Sequence, residues 1–437
     1  MKPDMDVHGT LGRYILADGM DLVMDLERSH GSWIVDQRDG AEYLDLYTMY
    51  ASQAIGYNHP RMMEISDELA RAATQKPICS DIYTEPMARF MEVFARVAMP
   101  AYLPHAFFIE GGALAVENAL KAAFDWKTRL NLPLGKDHVH ADRIIHFKEA
   151  FHGRSGYTLS LTNTYNPDKT RFFPKFDWPR IDNPKLRFPV DAAEEQRVSE
   201  AEGRALKQIK LAIHQFGDRI AGLIIEPIQS EGGDNHFRPE FMQALRELCN
   251  ENRIIFILDE VQTGVGLTGR FWAHEHHGVQ PDIISFGKKT QVCGMLAGPI
   301  MDEVSDNVFQ RSLRIGSTFG GNLVDMVRCK RILEIIESER LVDAAEQQGA
   351  YLLAKLRDLQ SRFSGTLSNV RGQGLLCAFD LPDPEFRKRF AERCVRAGLL
   401  VVGCGPNSIR FRPHLNVSTP EIDHGLKVMA DVLTDMA

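Results

Sequence analysis

Two reactive side chains follow predicted strands in the middle of the chain. The run IIFIL at residues 254–258 ends in Asp259, and the run IISF at residues 283–286 ends in Gly287 and Lys288. Short, continuous apolar runs are typical of strands that are buried on both faces of a parallel sheet. Ligands of open α/β sheets bind outside the carboxyl ends of the strands. We therefore expect the Asp259 carboxylate and the Lys288 amine to face one crevice.

This pair of groups suits a cofactor that bonds to an amine. Pyridoxal 5′-phosphate needs a lysine for its Schiff base and an aspartate that keeps its pyridine nitrogen protonated, so that the ring accepts electrons. The alternative is a solvated lysine pair, because Lys289 follows directly. Lys289 is the weaker candidate, since it lies one residue further from the strand. Desolvation beside other cations would lower the pKa of Lys288 and make its amine nucleophilic.

Two further motifs follow earlier predicted strands. Gly111-Gly112-Ala113 separates a strand from a helix, and a helix N-terminus behind glycines is suited to binding phosphate. The motif does not read GxGxxG, which disfavours a dinucleotide site. Phe151 is either a core ring or a ring that stacks on a cofactor, and Arg154 offers a fork for a substrate carboxylate.

Residues in later segments are candidates for contacts with the cofactor or the substrate, and some of them also have a purely structural explanation. Gln262 follows the aspartate at a spacing that lets it reach a cofactor or a substrate carboxylate. Glu231 is otherwise an ordinary loop carboxylate, and Thr318 is either a turn residue or a donor to a phosphate oxygen. Arg410 and Arg412 alternate along the last predicted strand. One of these arginines is a candidate carboxylate clamp and the other a candidate ion-pair partner.

The composition restricts the class of protein. The chain has 437 residues, of which 44% are hydrophobic and 25% charged, as in ordinary globular proteins. Its net charge of −8 argues against a nucleic-acid surface. No apolar run reaches the roughly 20 residues of a membrane span, and no secretion signal is visible. Seven scattered cysteines without a CxxC pair indicate neither a disulfide framework nor a metal site, so the reducing cytoplasm is the expected compartment.

The order of the predicted elements indicates an α/β protein with two domains. From residue 61 to 326, helices alternate with short apolar runs, which is typical of a doubly wound, mostly parallel sheet. These runs lie at residues 106–110, 143–147, 220–226, 254–259 and 283–287. Residues 327–437 combine helical stretches with further strand signals and predict a smaller α+β domain. Residues 1–60 carry short strand signals and are expected to complete that small domain.

Taken together, the motifs resemble those of the class III pyridoxal-phosphate aminotransferases. DEVQTG, PDIISFGKK, FHGR, EPIQ, STFGGN and RFRP lie between residues 151 and 413. The resemblance implies the fold of the type I pyridoxal-phosphate transferases. More narrowly, FHGRSGYTLSLTNT, KFDWPRID and FGKKTQVCG are similar to the lysine ε-aminotransferases. Those enzymes move the ε-amino group of L-lysine to 2-oxoglutarate, giving L-glutamate and 2-aminoadipate 6-semialdehyde, which cyclises to a piperideine carboxylate.

The resemblance implies the cofactor contacts. Lys288 would form the Schiff base and Asp259 would contact the pyridine nitrogen. The remaining cofactor residues would be Gly112, Ala113, Phe151, Gln262 and Thr318. Of these, Thr318 would reach the phosphate from the second subunit of a homodimer. Ala113 departs from the class, which usually has a hydroxyl residue there, and Gly316 stands where the lysine-specific relatives tend to have asparagine.

The resemblance also implies the substrate contacts. Arg154 would hold the distal carboxylate, and Arg412 the carboxylate next to the reacting carbon. Glu231 would pair with Arg412 while lysine is bound and swing away when glutamate or 2-oxoglutarate enters. Gln262 would lie at the edge of both cofactor and substrate.

Three other functions stay open. The first is another ω-aminotransferase, acting on ornithine, 4-aminobutyrate or a diamine, which substrate preference would distinguish. The second is a pyridoxal-phosphate lyase, decarboxylase or aminomutase, which would not need an amino acceptor. The third is a non-catalytic binding protein, which the presence of both Lys288 and Asp259 disfavours.

Overall fold

The computed structural model describes residues 5–135 and 140–436. Its strands are β1 (Trp33–Val35), β2 (Glu42–Asp45), β3 (His105–Ile109), β4 (Arg143–Phe147), β5 (Arg180–Ile181), β6 (Ile220–Ile225), β7 (Ile255–Asp259), β8 (Ile283–Phe286), β9 (Cys293–Ala297), β10 (Ser368–Gln373), β11 (Leu376–Asp380), β12 (Leu399–Leu400), β13 (Val402–Cys404) and β14 (Ser408–Phe411).

The helices connect and cover these strands. They are α1 (Val7–Gly12), α2 (Thr48–Ala51), α3 (Pro60–Met63), α4 (Ser66–Gln75), α5 (Glu85–Ala98), α6 (Gly112–Asn131), α7 (Gly156–Leu161), α8 (Ala192–Phe216), α9 (Pro239–Glu251), α10 (Leu323–Ser338), α11 (Leu341–Arg362), α12 (Pro384–Arg396) and α13 (Thr419–Met436). Short 3-10 helices lie at Leu132–Leu134, Pro167–Lys169, Gly217–Arg219, Ala273–His277, Lys288–Thr290 and Pro299–Glu303.

The largest sheet has the strand order β3-β9-β8-β7-β6-β4-β5. Its pairs from β5 to β8 are parallel, whereas β9 runs antiparallel to both β8 and β3. The prediction of a mostly parallel sheet is confirmed, and the predicted strands β3, β4, β6, β7 and β8 end within one residue of their observed ends. The parallel pairs direct the carboxyl ends of β4, β6, β7 and β8 to one edge, where a ligand site is expected.

Apolar side chains cover both faces of this sheet. Along β6, Leu223 and Ile225 belong to one buried cluster, whereas Ile224 belongs to a second cluster on the other face. Successive side chains of a strand point to opposite faces, so a strand inside a doubly wound sheet has to be apolar throughout. Helix α6 packs against β6, β8 and β9 on the face of Ile224. Apolar packing on both faces of the sheet fixes the positions of the strand ends.

Two smaller sheets come from the ends of the chain. One has the order β10-β11-β14-β13, and the other the order β1-β2-β12. In the second, Leu44 of β2 lies opposite Leu399 of β12 in parallel register. The N-terminal strands therefore pair with a C-terminal strand. The division into domains stays a prediction, and its boundary at residue 326 lies inside α10.

The same structure also bears on membrane-spanning helices, metal-ligating groups and cysteine pairs. Within residues 5–135 and 140–436, no helix is long and apolar enough to cross a membrane. The same part of the chain contains no group of three metal-ligating side chains. All seven cysteines are buried and unpaired.

Candidate active site

A cavity of about 760 Å³ lies at the carboxyl edge of the largest sheet. It is bordered by Phe151 after β4, Glu226 after β6, Asp259 at the end of β7 and Lys288 after β8. The predicted residues in its wall are Gly112, Ala113, Phe151, Arg154, Glu231, Asp259, Gln262 and Lys288. Thr318 and Arg412 do not line it. The sheet topology thus brings together groups that are far apart in the sequence.

Lys288 presents its amine to this cavity. The Nζ atom donates a hydrogen bond of 2.5 Å to Oε1 of Gln262. Burial, and then the positive charges of Arg410 and Arg412, lower the pKa of Lys288 to about 7. Lys289 points away, because it is buried outside the cavity and donates to the backbone oxygen of Gln262 at 2.9 Å. Lys288 is therefore the amine that a ligand in the cavity meets.

Asp259 is buried and held by three donors. Its Oδ2 atom lies 2.7 Å from Nδ1 of His152, and its Oδ1 atom accepts from Ser285 Oγ at 3.0 Å and from Val261 N at 3.1 Å. These contacts fix the plane of the carboxylate. The Nε2 atom of His152 has no hydrogen-bond partner among the described residues. Such an arrangement can hold a proton on a basic ring nitrogen inside the cavity.

The first turn of α6 forms another wall of the cavity. Gly111, with φ +90°, precedes the helix and supplies no side-chain cap. Close packing requires glycine here, because a Cβ atom on Gly112 would come within 2.8 Å of Val261 Cγ1, and one on Gly153 within 2.5 Å of Ala113 Cβ. The helix is 20 residues long, so its N-terminal amides and dipole favour an anion such as a phosphate.

Glu226 organises the loops below Phe151. Its two carboxylate oxygens accept hydrogen bonds from the backbone nitrogens of Phe151 at 3.0 Å and of Ser230 at 3.1 Å. Burial raises the pKa of Glu226 to about 7. The half-buried ring of Phe151 is thereby fixed at the cavity wall.

The arginine that contacts Glu231 is Arg410, which corrects the prediction that it is Arg412. The Nη2 atom of Arg410 lies 3.3 Å from Oε2 of Glu231, and both residues line the cavity. Arg412 is fully buried and forms an ion pair with the equally buried Asp234. The side chain of Arg412 is therefore engaged away from the cavity, and it cannot clamp a substrate there.

A left-handed turn closes the cavity near Arg410. All four residues of α2, Thr48, Met49, Tyr50 and Ala51, have φ between +47° and +63°. This conformation costs about 1–2 kcal/mol per residue, so the surroundings have to impose it. The side chain of Gln262 donates to the backbone oxygen of Tyr50 at 3.2 Å, and Met49 and Tyr50 line the cavity.

The comparisons with known proteins agree with this geometry. Residues 15–433 match the family model described as aminotransferase class III. The chain belongs to the class III aminotransferases. It therefore has the fold of the type I pyridoxal-phosphate transferases, as predicted, and it is a pyridoxal-phosphate-dependent enzyme.

Relatives of this aminotransferase cover almost its whole length. It is 51% identical to an L-lysine-epsilon aminotransferase of Mycobacterium tuberculosis, over 98% of this chain and 95% of the relative. It is 48% identical to one of Streptomyces clavuligerus, over 99% of this chain and 95% of the relative. A solved structure of the lysine aminotransferase from M. tuberculosis superimposes with a TM-score of 0.96 at 51% identity, and the match covers 99% of both chains.

The cavity of this aminotransferase fits the cofactor of its class. Lys288 offers an amine of lowered pKa, and Asp259 offers a fixed carboxylate on the same wall. The start of α6 has no side-chain cap, so its first backbone amides are available to a phosphate. No side-chain hydroxyl is present at Ala113, so phosphate binding at this turn depends on backbone amides.

The sequence did not reveal every residue of the site. His152 stood inside the FHGR motif, but only the fold brings it to Asp259. Lys169 was not recognised at all, although it lines the cavity and contacts Glu231 at 2.5 Å. It lies in a short 3-10 helix without periodicity, so no sequence pattern identified it. For Arg410, the RFRP motif was the available signal, and only the choice between its two arginines was wrong.

Proposed function

We propose that this aminotransferase moves the ε-amino group of L-lysine to 2-oxoglutarate. The products are L-glutamate and 2-aminoadipate 6-semialdehyde, which cyclises to a piperideine carboxylate. The observation that carries the proposal is the contact between Glu231 and Arg410 in a cavity that also contains Arg154. This set of charges can receive a substrate with one carboxylate and, after a rearrangement, a substrate with two. The names of its bacterial relatives support the same assignment.

Each half of the reaction uses the same groups of the chain. Bound pyridoxal phosphate supplies an electron sink for the carbon that carries the transferred amine. With the cofactor bound, Asp259, held by His152, would keep a proton on the ring nitrogen. The Nζ atom of Lys288 would accept and return a proton of the substrate, which suits an amine whose pKa lies near neutrality. Gln262 positions that amine through its hydrogen bond of 2.5 Å.

The substrate carboxylates determine which groups must move. Arg154, which is exposed at the cavity wall, holds the distal carboxylate of either substrate. Lysine places uncharged methylenes beside Arg410, so Glu231 stays paired with that arginine. Glutamate and 2-oxoglutarate place a carboxylate there, so Glu231 has to release it. A buried arginine left without an anion would be costly, and this exchange avoids that state.

The second subunit of a homodimer is part of the proposal. Thr318 is exposed and lies outside the cavity of its own chain, in a loop region where Leu313 is 99% and Phe319 53% exposed. Large apolar side chains exposed together are typical of an interface. We infer that this loop packs on a second copy and brings Thr318 to the phosphate of the partner site. The cytoplasm, whose reducing conditions keep the buried thiols unpaired, is the compartment we propose.

A product assay tests the proposed function. The holoenzyme is incubated with 2-oxoglutarate and lysine, ornithine or 4-aminobutyrate, and both glutamate and the trapped cyclic imine are measured. Lysine should give glutamate and the six-membered imine at a kcat/KM well above the other donors. Faster turnover of ornithine or 4-aminobutyrate would show that this compound, and not lysine, is the amino donor. Product formation without 2-oxoglutarate would instead indicate a lyase or mutase.

A further inference from the structure

A second cation holds the Glu231 side chain from the side opposite Arg410. The Nζ atom of Lys169 lies 2.5 Å from Oε1 of Glu231, whereas Arg410 Nη2 lies 3.3 Å from Oε2. One carboxylate therefore bridges two cavity-lining cations, and the shorter contact is the one with Lys169. Both Lys169 and Glu231 are largely shielded, with side-chain exposures of 23% and 20%.

Aromatic rings and a backbone contact fix this arrangement. The Lys169 amine lies 5.7 Å from the ring centroid of Phe151 and 5.9 Å from that of Tyr165, distances at which a ring face attracts a cation. The backbone oxygen of Glu231 accepts a hydrogen bond of 2.9 Å from Gly405 N. Since the backbone of Glu231 is tied down, a change of partner has to be made by its side chain alone.

Arg410 needs an anion more than its present contact provides. Its side chain is 2% exposed, and its Nε and Nη1 atoms have no hydrogen-bond partner in the described part of the chain. A substrate carboxylate in the cavity that Arg410 lines would compete with Glu231 for this guanidinium. If Glu231 had Arg410 as its single partner, release would leave a shielded carboxylate unpaired, which is unfavourable. The contact with Lys169 removes that cost.

We propose that Lys169 is a positioning residue that sets the specificity for the dicarboxylate substrate, by keeping Glu231 paired when Glu231 releases Arg410. The inference rests on the proposed function, in which one cavity receives lysine and then a dicarboxylate. Only the dicarboxylate half requires the release. Lys169 is thus needed for binding 2-oxoglutarate and glutamate, and it is dispensable for lysine, beside which Glu231 remains on Arg410.

The test compares charge removal at Lys169 with the same change elsewhere. Lys169→Met keeps the apolar stem and removes the charge, and Lys169→Arg keeps the charge. Lys207→Met, at an exposed position of α8 outside the cavity, is the matched control. Each holoenzyme is mixed separately with lysine, glutamate or 2-oxoglutarate in single turnovers followed by cofactor absorbance. Binding of glutarate, a dicarboxylate without a transferable amine, is measured by calorimetry.

Lys169→Met should weaken glutarate binding and raise the half-saturating concentration of glutamate and 2-oxoglutarate about tenfold, the size of one shielded charge contact. The lysine half should change less than about twofold. Lys169→Arg should restore most of the loss, and Lys207→Met should behave as wild type. In a Glu231→Gln background, Lys169→Met should have no further effect, because the carboxylate it holds is gone.

Several outcomes would overturn the inference. Equal losses in both halves would show that Lys169 supports the fold of the cavity, and unchanged glutarate binding would show that it has no role. A full effect of Lys169→Met in the Glu231→Gln background would mean that Lys169 binds the substrate directly. Failure of the proposed function is separately visible, because the wild-type enzyme would then show no half-reaction with lysine while the glutarate measurement still stands.

Discussion

The Nδ1 atom of His152 lies 2.7 Å from Oδ2 of Asp259, and both side chains are buried. Ser285 and Val261 occupy the other oxygen of the carboxylate. The orientation of Asp259 toward the cavity is therefore set by groups from three separate parts of the chain. Substitutions at Asp259 and at His152 can therefore test separately what the carboxylate does and what its orientation adds.

Asp259→Asn should retain pyridoxal phosphate but lose about 10²–10³-fold in the rate of each half-reaction. An amide does not hold a proton on the ring nitrogen by charge, so the electron sink is weakened. Single-turnover absorbance measures the rate, and the absorbance of the bound cofactor verifies occupancy. His152→Asn, whose amide nitrogen can replace Nδ1, should lose far less than His152→Leu. Near wild-type rates for Asp259→Asn would assign the carboxylate a purely structural role.

The apoenzyme should capture pyridoxal phosphate with a rate that rises through about pH 7. Burial and the neighbouring arginines disfavour the charged form of Lys288, which lowers its pKa from 10.5 to about 7. Below that pH the amine is protonated and cannot attack the aldehyde, and above it the amine is neutral. Stopped-flow absorbance across pH gives the midpoint. Arg410→Met removes a positive neighbour and should shift the midpoint upward. A wild-type midpoint near 10 would contradict the assignment.

Lys288→Ala should abolish covalent attachment of the cofactor, whereas Lys289→Ala should preserve it. Of these two lysines, Lys288 lines the cavity, whereas the Lys289 amine donates to the Gln262 backbone. Borohydride reduction followed by peptide mass mapping locates the attached cofactor. An adduct on Lys289 in the wild-type enzyme would be inconsistent with the orientation of the two side chains.

Arg410 and Arg412 should differ in what their loss affects. Arg412→Met leaves the buried carboxylate of Asp234 without its ion-pair partner and should cost about 3–5 kcal/mol of stability. Arg410→Met leaves Glu231 with Lys169, so stability should change little. It should instead weaken the glutamate half by about tenfold or more relative to the lysine half. Thermal melting and single-turnover kinetics provide the two readouts, and interchanged results would restore the sequence-based choice of Arg412.

Dilution should separate active dimers from inactive monomers. Thr318 lies outside the cavity of its own chain, so a monomer lacks one expected phosphate contact. Mass photometry and activity measured over the same concentration range should fall together. Leu313→Asp replaces a fully exposed apolar side chain with a charged one. It should shift both the dimerisation curve and the activity curve to higher concentration. A monomer with full activity would exclude a shared site.

Several site residues were predictable because they follow strands with strong sequence signals. The runs that became β7 and β8 are apolar and end in polar residues, so the positions of Asp259 and Lys288 at the sheet edge followed from general rules. Strand β9 was missed. The chain reverses at Lys288–Thr290, with Gln291 at φ +63°, and Gly287 before this turn is too weak a signal to predict the reversal.

The choice between Arg410 and Arg412 depended on a contact that no local pattern contains. Both arginines alternate onto one side of the predicted strand, and both are buried. Asp234, which neutralises Arg412, lies in a distant loop. Lys169 and His152 acquire their roles in the same way, through contacts across the fold with Glu231 and Asp259. Contacts between side chains that are distant in sequence can be identified only from the three-dimensional structure.

The parallel pairing of Leu44 with Leu399 has a consequence for folding during synthesis. Strand β2 emerges from the ribosome early, but its partner β12 emerges only when synthesis is almost complete. Until then, the edge of β2 has no native strand to bind, and exposed strand edges invite wrong pairings. Nascent chains arrested before residue 399 should therefore leave the first 50 residues open to protease, whatever the state of the large sheet. The N-terminal segment is made first and, by this topology, is among the last to fold.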